Sequence, residues 1–399
     1  REGRGEVRPG SAATAHRGDK RRITTRLWRR NHLAVAVAVA ASALLPRLAE
    51  AAAPAPAAAT AATLDLAPML LKLRHTWTIS RNSSNEKKNG LLTLTAGGIT
   101  GYGETAANVR YGQSWESGEA AFAKVKAACA GLSPWEHLAW LERAEEAAGG
   151  DSQVVAALDM ALWDWKGKAV GQPVWRLLGI PTGRMAQTTF SIGIDTAEAM
   201  KEKVKEAEPY PLLKVKVGLA NDEENVTAIR SVTKKPIRVD ANEGWKSAEE
   251  ALKKIAWLKT MGIEFVEQPL PAAKNAEMKA VKAGSALPLV ADESVLHVKD
   301  VPSLVGLFDG VNAKLAKCGG ITRAYELAAL GRALGFKLML GCMIESSLGI
   351  AAAVAVAPLF DWLDLDGNLL VANDPWKGLT LKEGRWELPA APGLGVVPA

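Results

Sequence analysis

Charged residues recur in this sequence where short apolar runs end. Lys214-Val215-Lys216 closes one run, and Asp240-Ala241-Asn242, Glu267-Gln268-Pro269 and Asp292-Glu293-Ser294 close the next three. Asn312-Ala313-Lys314-Leu315-Ala316-Lys317 and Asp364-Leu365-Asp366 follow further along. Side chains alternate in an extended segment, so Lys214 and Lys216 project to one side, as do Asp364 and Asp366. Asp240, Glu267 and Asp292 together make a hard oxygen cage of the kind Mg²⁺ prefers, with positions left open for substrate or water. A lysine crowded by a second cation and partly desolvated can have its pKa lowered enough to act as a base. The chemistry this suggests is removal of a proton beside a carboxylate, with the metal stabilising the resulting enediolate. His297, just past the fifth run, reads as a helix-start or surface residue, so no histidine argues for zinc.

The elements that must hold these groups are short strands alternating with amphipathic helices. β-rich runs occur at Thr189–Ile194, Leu212–Val217, Ile237–Asp240, Ile263–Glu267, Leu289–Asp292, Val311–Leu315, Lys337–Leu340 and Trp362–Leu365. They recur about every 25 residues, the length of one βα unit. Eight units imply an α/β protein with a closed parallel (β/α)₈ barrel, whose C-terminal strand ends converge on one site. Ahead of the barrel the texture is α+β. Strands are expected at Met69–Ile79 and Gly90–Thr95, and helices near Glu116–Cys129, Pro134–Ala147 and Val154–Trp165. The glycine-rich stretch Gly97 to Glu104 is read as a turn between strands rather than a phosphate cradle. The expected organisation is a leader and linker (1–63), an α+β capping domain (64–185), the barrel (186–366) and a C-terminal segment returning to the cap (367–399).

Among 399 residues the net charge is +6, but residues 1–50 alone carry 11 Lys/Arg against 4 Asp/Glu, leaving the remainder at −1. The body therefore offers no electrostatic case for nucleic acid. Arg21-Arg22 and Arg29-Arg30 precede an apolar run from Leu33 to Leu45, and Ala49-Glu50-Ala51 follows as a cleavable pattern. This order predicts export, to the periplasm by the twin-arginine route, with no membrane insertion after cleavage. Cys129, Cys318 and Cys342 are widely spaced and support neither a disulfide framework nor a zinc site. Most of the 13 tryptophans are expected to pack in helices or the tail rather than form a binding box.

From Leu64 to Pro398 the chain resembles the muconate-lactonizing branch of the enolase superfamily, and within it the dipeptide epimerases. Leu-Lys-Val-Lys-Val-Gly, Val-Asp-Ala-Asn-Glu-Gly-Trp, Val-Glu-Gln-Pro, Ala-Asp-Glu-Ser and Gly-Cys-Met-Ile-Glu-Ser-Ser-Leu-Gly carry the likeness. The resemblance implies that Lys216 and Lys314 are acid/bases on opposite faces of an α-carbon. It implies that Lys214 is a helper cation that contacts the substrate carboxylate, and that Asp240, Glu267 and Asp292 bind one Mg²⁺ per subunit. Lys317 would play a supporting part, with Asn242, Glu293 and Glu345 around the metal or the carboxylate, and Met343 at the substrate. Asp364 and Asp366 would pair with the free ammonium of a dipeptide. The cap loop Thr76 to Asn89 offers Arg81 to an acidic group of the substrate, with Lys87 and Lys88 as competitors. Ser191 stands where substrate contact is expected and relatives often carry Thr.

The reading that follows is epimerisation at the α-carbon of a dipeptide's C-terminal residue, in a homo-oligomer. The alternatives are a cycloisomerase, an o-succinylbenzoate synthase, an N-acyl amino acid racemase, or a non-catalytic exported binding protein.

Overall fold

The computed structural model describes residues 61–399, so the leader and most of the linker lie outside the described residues. The chain opens with an antiparallel three-stranded sheet in the order β1 (Thr63–Thr78), β2 (Ser83–Ala96), β3 (Ile99–Thr105). Both cap strands run longer than the sequence pattern indicated, because Leu71 pairs with Lys87 and Lys72 with Glu86 through a polar stretch. Cross-strand pairing, rather than apolar alternation, keeps those residues extended.

Helices α1 (Trp115–Ala128) and α3 (Ser152–Ala169) pack on this sheet, and α2 (His137–Ala148) packs on both of them. Helix α1 begins with a capping box, in which the Ser114 hydroxyl accepts from the Ser117 N–H and the Ser117 hydroxyl accepts from the Ser114 N–H. Helix α3 is apolar nearly all round, as a helix buried on several sides must be. Gly97 and Gly98 have φ of 58° and 76° and form the expected turn. The rest of the glycine-rich stretch is strand β3, where Gly101 and Gly103 let the strand lie directly on α3. A Cβ on Gly103 would stand 1.8 Å from the Ala157 carbonyl oxygen, and one on Gly101 would stand 2.1 Å from that of Ala161.

The barrel strands are β4 (Phe190–Ile192), β5 (Leu213–Lys216), β6 (Ile237–Asp240), β7 (Ile263–Glu267), β8 (Leu289–Ala291), β9 (Gly310–Lys314), β10 (Lys337–Gly341) and β11 (Trp362–Asp364). All eight fall within a residue or two of the expected runs and pair in parallel in sequence order. A parallel bridge between Thr188 and Leu363 joins the two ends and closes the ring. The helices between them are α4 (Ala197–Glu206), α5 (Asp222–Val232), α6 (Ala248–Thr260), α7 (Asn275–Gly284), α8 (Ile321–Ala333) and α9 (Ser347–Val354). Only a 3₁₀ segment, Val298–Leu304, follows β8, with Pro302 inside it. His297 precedes that segment, where its N–H donates to Asp300 Oδ2, as a helix-start residue should.

Cap, barrel and tail share one compact unit, Thr60–Ala399. The tail packs on the cap: Val371 bridges Leu73, Gly393 bridges Pro173, and the Trp376 ring meets Tyr102 edge-on at 5.0 Å. Among the described residues, no helix is long and apolar enough to cross a membrane.

The contact of β3 with α3 sets how the cap sits, and it has no room for a side chain. Gly103→Ala is expected to destabilise the protein by about 1–3 kcal/mol through enforced separation of strand and helix. Thermal unfolding checks this, and an unchanged midpoint would mean that the packing is slacker than the structure indicates.

Candidate active site

The barrel's C-terminal strand ends place the charged residues in one layer. Lys216 is in register with Asp240, and Asp240 with Glu267. Across the ring, Lys314 and Asp364 are both in register with Gly341. Asn242, Glu243 and Gln268 follow at once, with φ of 45°, 65° and 35°. Left-handed conformations in non-glycine residues are costly and concentrate where a site demands them. Here they follow directly on Asp240 and Glu267, the last residues of β6 and β7.

Oxygens of Asp240, Glu267 and Asp292 lie within 4.8 Å of one another, and all three residues are buried. Each is held by a different neighbour. The Asn242 N–H donates to Asp240 Oδ1 at 2.9 Å, and Lys216 Nζ donates to Asp240 Oδ2 at 2.6 Å. Asn312 Nδ2 donates to Glu267 Oε1 at 2.7 Å. Asp292 Oδ2 accepts from Lys314 Nζ at 2.8 Å. Lys317 Nζ is tied to the same carboxylate and to the backbone oxygens of Asp292 and Asn312, at 2.8 and 3.0 Å.

Like charges packed this closely in a dry site must be compensated or neutralised. Burial and the nearby Asp240 push the Glu267 carboxyl up to about 8. Its Oε2 has no hydrogen bond, although the Lys214 ammonium lies 2.7 Å away. Burial would raise Asp240 and Asp292 too. Lys216 and Lys214 hold Asp240 below the usual carboxylate range, and Lys314 and Lys317 do the same for Asp292. An all-oxygen donor set of three buried carboxylates packed this closely fits a divalent cation such as Mg²⁺.

Lys214 and Lys314 are both pushed well above the usual range. Burial acts to lower them, but Asp364, Glu267 and Asp240 outweigh it at Lys214, and Asp292 outweighs it at Lys314. One expectation about the lysines is corrected here: Lys214 was expected at the substrate carboxylate. It is fully buried beneath the cavity, with its ammonium between Asp240, Glu267 and Asp364 at 3.2, 2.7 and 2.7 Å.

Above this floor lies a cavity of about 120 Å³, bordered by Lys216, Lys314, Asp292, Ser191, Asp364 and Asp366. Strands β5 and β9 are four positions apart in an eight-membered ring, so Lys216 and Lys314 enter from opposite walls. Asp364 is engaged by Lys214 and by the Thr189 and Ser191 hydroxyls. Asp366 accepts from the Ser191 N–H at 2.6 Å, and burial and Asp364 push its carboxyl up to about 7. Ser191 thus organises both acids as well as bordering the cavity. Met343 also borders it, with its sulfur accepting from Asn108 Nδ2. Glu345 lies deeper, where burial and Glu104 push it up to about 8. Glu293, pushed up to about 7 by burial and Asp292, is met by Arg81 at 2.7 Å.

Arg81 borders the same cavity, where its guanidinium bonds Glu293, Glu243 and the Asn242 carbonyl and so fastens the cap loop to the barrel. Several cavity and support residues escaped the sequence reading. Trp77 lines the cavity with the Lys216 ammonium 5.8 Å from its ring, although tryptophans were read as packing. Tyr111 reaches the cavity from the loop before α1, with no local pattern to announce it. Asn312 could have been found, since it precedes Lys314 by two on β9 and so shares its face. Glu104 on β3 accepts from the Ser346 hydroxyl and the Ser346 and Gly349 N–H groups at the start of α9, clasping the cap to the barrel.

Residues 61–179 match the mandelate racemase / muconate lactonizing enzyme N-terminal domain, and residues 195–399 match the enolase C-terminal domain-like family. The chain is 40% identical over 331 residues to an L-Ala-D/L-Glu epimerase of Bacteroides thetaiotaomicron, covering 83% of this chain and 86% of that protein. It is 43% identical over 333 residues to an L-Ala-D/L-amino acid epimerase of Pedosphaera parvula, covering 82% and 95%. A dipeptide epimerase from Cytophaga hutchinsonii, solved with Mg and the dipeptide D-Ala-L-Val, superposes with a TM-score of 0.82 at 26% identity, covering 85% of this chain and 96% of that one. With both domain families matched over residues 61–179 and 195–399, and the strand-end carboxylates and lysines in place, the chain belongs to the mandelate racemase / muconate lactonizing enzyme family of the enolase superfamily.

Proposed function

We propose that this protein is a Mg²⁺-dependent dipeptide epimerase, inverting the α-carbon of the C-terminal residue by a two-base 1,1-proton transfer. The observation that carries this reading is the pair of lysines facing one cavity from opposite walls, with two aspartates at the cavity's edge. Asp240, Glu267 and Asp292 would hold the cation, which supplies positive charge to offset the negative charge that builds up on the substrate carboxylate.

Proton movement belongs to the lysines. One of Lys216 and Lys314, as the free amine that the positive charge of a bound cation would favour, takes the α-proton from its own face. The other, as the ammonium, gives a proton to the opposite face. The configuration inverts, the proton count is unchanged, and the two lysines have exchanged protonation states. Asp240 and Asp292 fix the ammonium positions by the hydrogen bonds described above. Lys214 keeps Asp364 and the metal-binding carboxylates from repelling one another. Asp366 would receive the ammonium of the dipeptide, with Asp364 behind it. The Asp366 carboxyl favours the dipeptide reading over an N-acyl amino acid racemase, whose substrate brings no charge to pair with a buried acid.

Export by the twin-arginine route is proposed from Arg21-Arg22, Arg29-Arg30 and the apolar run that follows. Retention of a fusion to residues 1–63 in the cytoplasm of a competent host would count against it.

Three outcomes test the function. Lys216→Ala and Lys314→Ala should each stop net epimerisation, while one of them still exchanges the α-proton of a single stereoisomer in D₂O, followed by mass spectrometry. Wild-type epimerisation by Lys314→Ala would remove it from the mechanism. Asp366→Asn loses a charge-assisted hydrogen bond, which amounts to about one to two decades in kcat/KM for a dipeptide. The same change should spare an N-acetylated analogue, and a wild-type preference for that analogue would favour the racemase. Asn312→Ala frees Glu267 and should weaken Mg²⁺ binding by about 10–100-fold. Titration calorimetry reads this directly, and unchanged affinity would remove Asn312 from the support of the site.

A further inference from the structure

Lys216 and Lys314 border one cavity from opposite walls, but their ammonium groups are held in different ways. Lys314 donates to Asp292 Oδ2 at 2.8 Å, on a carboxylate that Lys317 also ties down. Lys216 donates to Asp240 Oδ2 at 2.6 Å, an oxygen that also takes Asn242 Nδ2 at 3.1 Å and faces the Lys214 ammonium at 3.2 Å. Among the described residues, this shared oxygen is the one acceptor that the Lys216 ammonium meets. Its other neighbour is an aromatic ring. The Trp77 centroid lies 5.8 Å from Lys216 Nζ, within the reach of a cation–π contact. Lys314 makes no such contact among the described residues.

The cap brings the ring to this place. Pairing of β1 with β2 slips its register between Lys72 and Trp77, an irregularity of the kind that re-aims side chains beside sites, and resumes with Trp77 opposite Ser84. The Ile194 N–H, in the loop after β4, donates to the Thr78 carbonyl at 2.9 Å and fastens the end of β1 beside the barrel. Strand β4 is the neighbour of β5, which carries Lys216. Gly193 lets this loop lie close to the indole, since a Cβ there would stand 3.3 Å from Cε3 of the ring and 3.3 Å from the Thr78 carbonyl oxygen. Beyond the ring is a second, larger cavity of about 630 Å³, between β1, α4 and the turn after β11. Trp77 borders both cavities, whereas Lys216 borders only the first. Without the ring, a flexible lysine head has open space to turn into.

We infer that Trp77 is a positioning residue for Lys216, its indole holding the lysine head in line with the α-carbon on that wall alone. The inference rests on the epimerase reading above. Asp240 fixes how far the ammonium stands from the metal-binding carboxylates, and the ring fixes the direction in which it leans. The attraction is electrostatic, between the ammonium and the ring quadrupole, and counts for more in a site from which water is excluded. Proton transfer depends steeply on such alignment, because a misplacement of about 1 Å can cost up to about 100-fold in rate. Since the ring meets Lys216 and not Lys314, its loss must act unequally on the two faces of the α-carbon.

The test follows L-Ala-L-Glu and L-Ala-D-Glu separately in D₂O with the Mg²⁺-loaded enzyme, reading both conversion and α-deuterium in the recovered substrate. Whichever of Lys216→Ala and Lys314→Ala still exchanges a proton identifies the stereoisomer that each lysine faces. Trp77→Met removes the ring and should slow conversion in both directions by about tenfold, since each direction uses both lysines. The stereoisomer facing Lys314 should continue to exchange at nearly the wild-type rate. The one facing Lys216 should lose exchange and conversion together. Trp77→Leu, a second variant without a ring, should show the same asymmetry if Trp77→Met does not fold. Trp77→Phe keeps a ring at a volume close to that of methionine and should stay within about threefold of wild type on both stereoisomers. Equal loss of exchange from both stereoisomers overturns the assignment, by pointing to the substrate or the fold, while dipeptide epimerisation stands. Unchanged rates in the ring-free variants, or Trp77→Phe as impaired as they are, also overturn it. Failure of wild type to epimerise this pair or any other dipeptide removes the epimerase reading and this inference with it.

Discussion

Three carboxylates from consecutive strands share a space from which water is excluded, and most of the charged architecture of this barrel answers to that fact. Asp240, Glu267 and Asp292 cannot be buried together without positive charge among them. The protein supplies Lys214 at the centre, Lys216 and Lys314 on the walls and Lys317 beneath, each within hydrogen-bonding or ion-pairing distance of at least one of the three. The same contacts that neutralise the acids also fix the lysine heads. The groups that would move protons are thus positioned by the groups that would bind the cation. Glu267 keeps a raised pKa even with Lys214 at 2.7 Å, and a divalent ion among the three acids would favour its charged form.

A second layer of constraint comes from the cap, which contributes no metal-site carboxylate yet forms the roof of the cavity. Two clasps hold it down. Glu104 takes the N–H groups at the start of α9, where a helix N-terminus favours negative charge. Glu243 takes Arg81 and Arg110, drawing both cap loops onto the turn after β6. Arg110 pairs with Glu243 through two nitrogens, a geometry that gives direction as well as attraction.

What the sequence determined by itself was the barrel and the charged residues at its strand ends. Strand periodicity is a local property, and residues two apart on a strand share a face whatever the rest of the chain does. Lys214 with Lys216, Asp364 with Asp366, and the three single acids at strand ends were legible for that reason, and so were all eight strands. Asn312 was equally legible by its spacing from Lys314. Tertiary structure decided the partners. Whether Arg81, Lys87 or Lys88 faces substrate depends on which carboxylates lie opposite each. Glu243 and Glu293 reach that position only when the loops after β6 and β8 fold beside the cap. Trp77 and Tyr111 carry no local mark of their role, since a cavity wall assembled from distant segments exists only after those segments have packed.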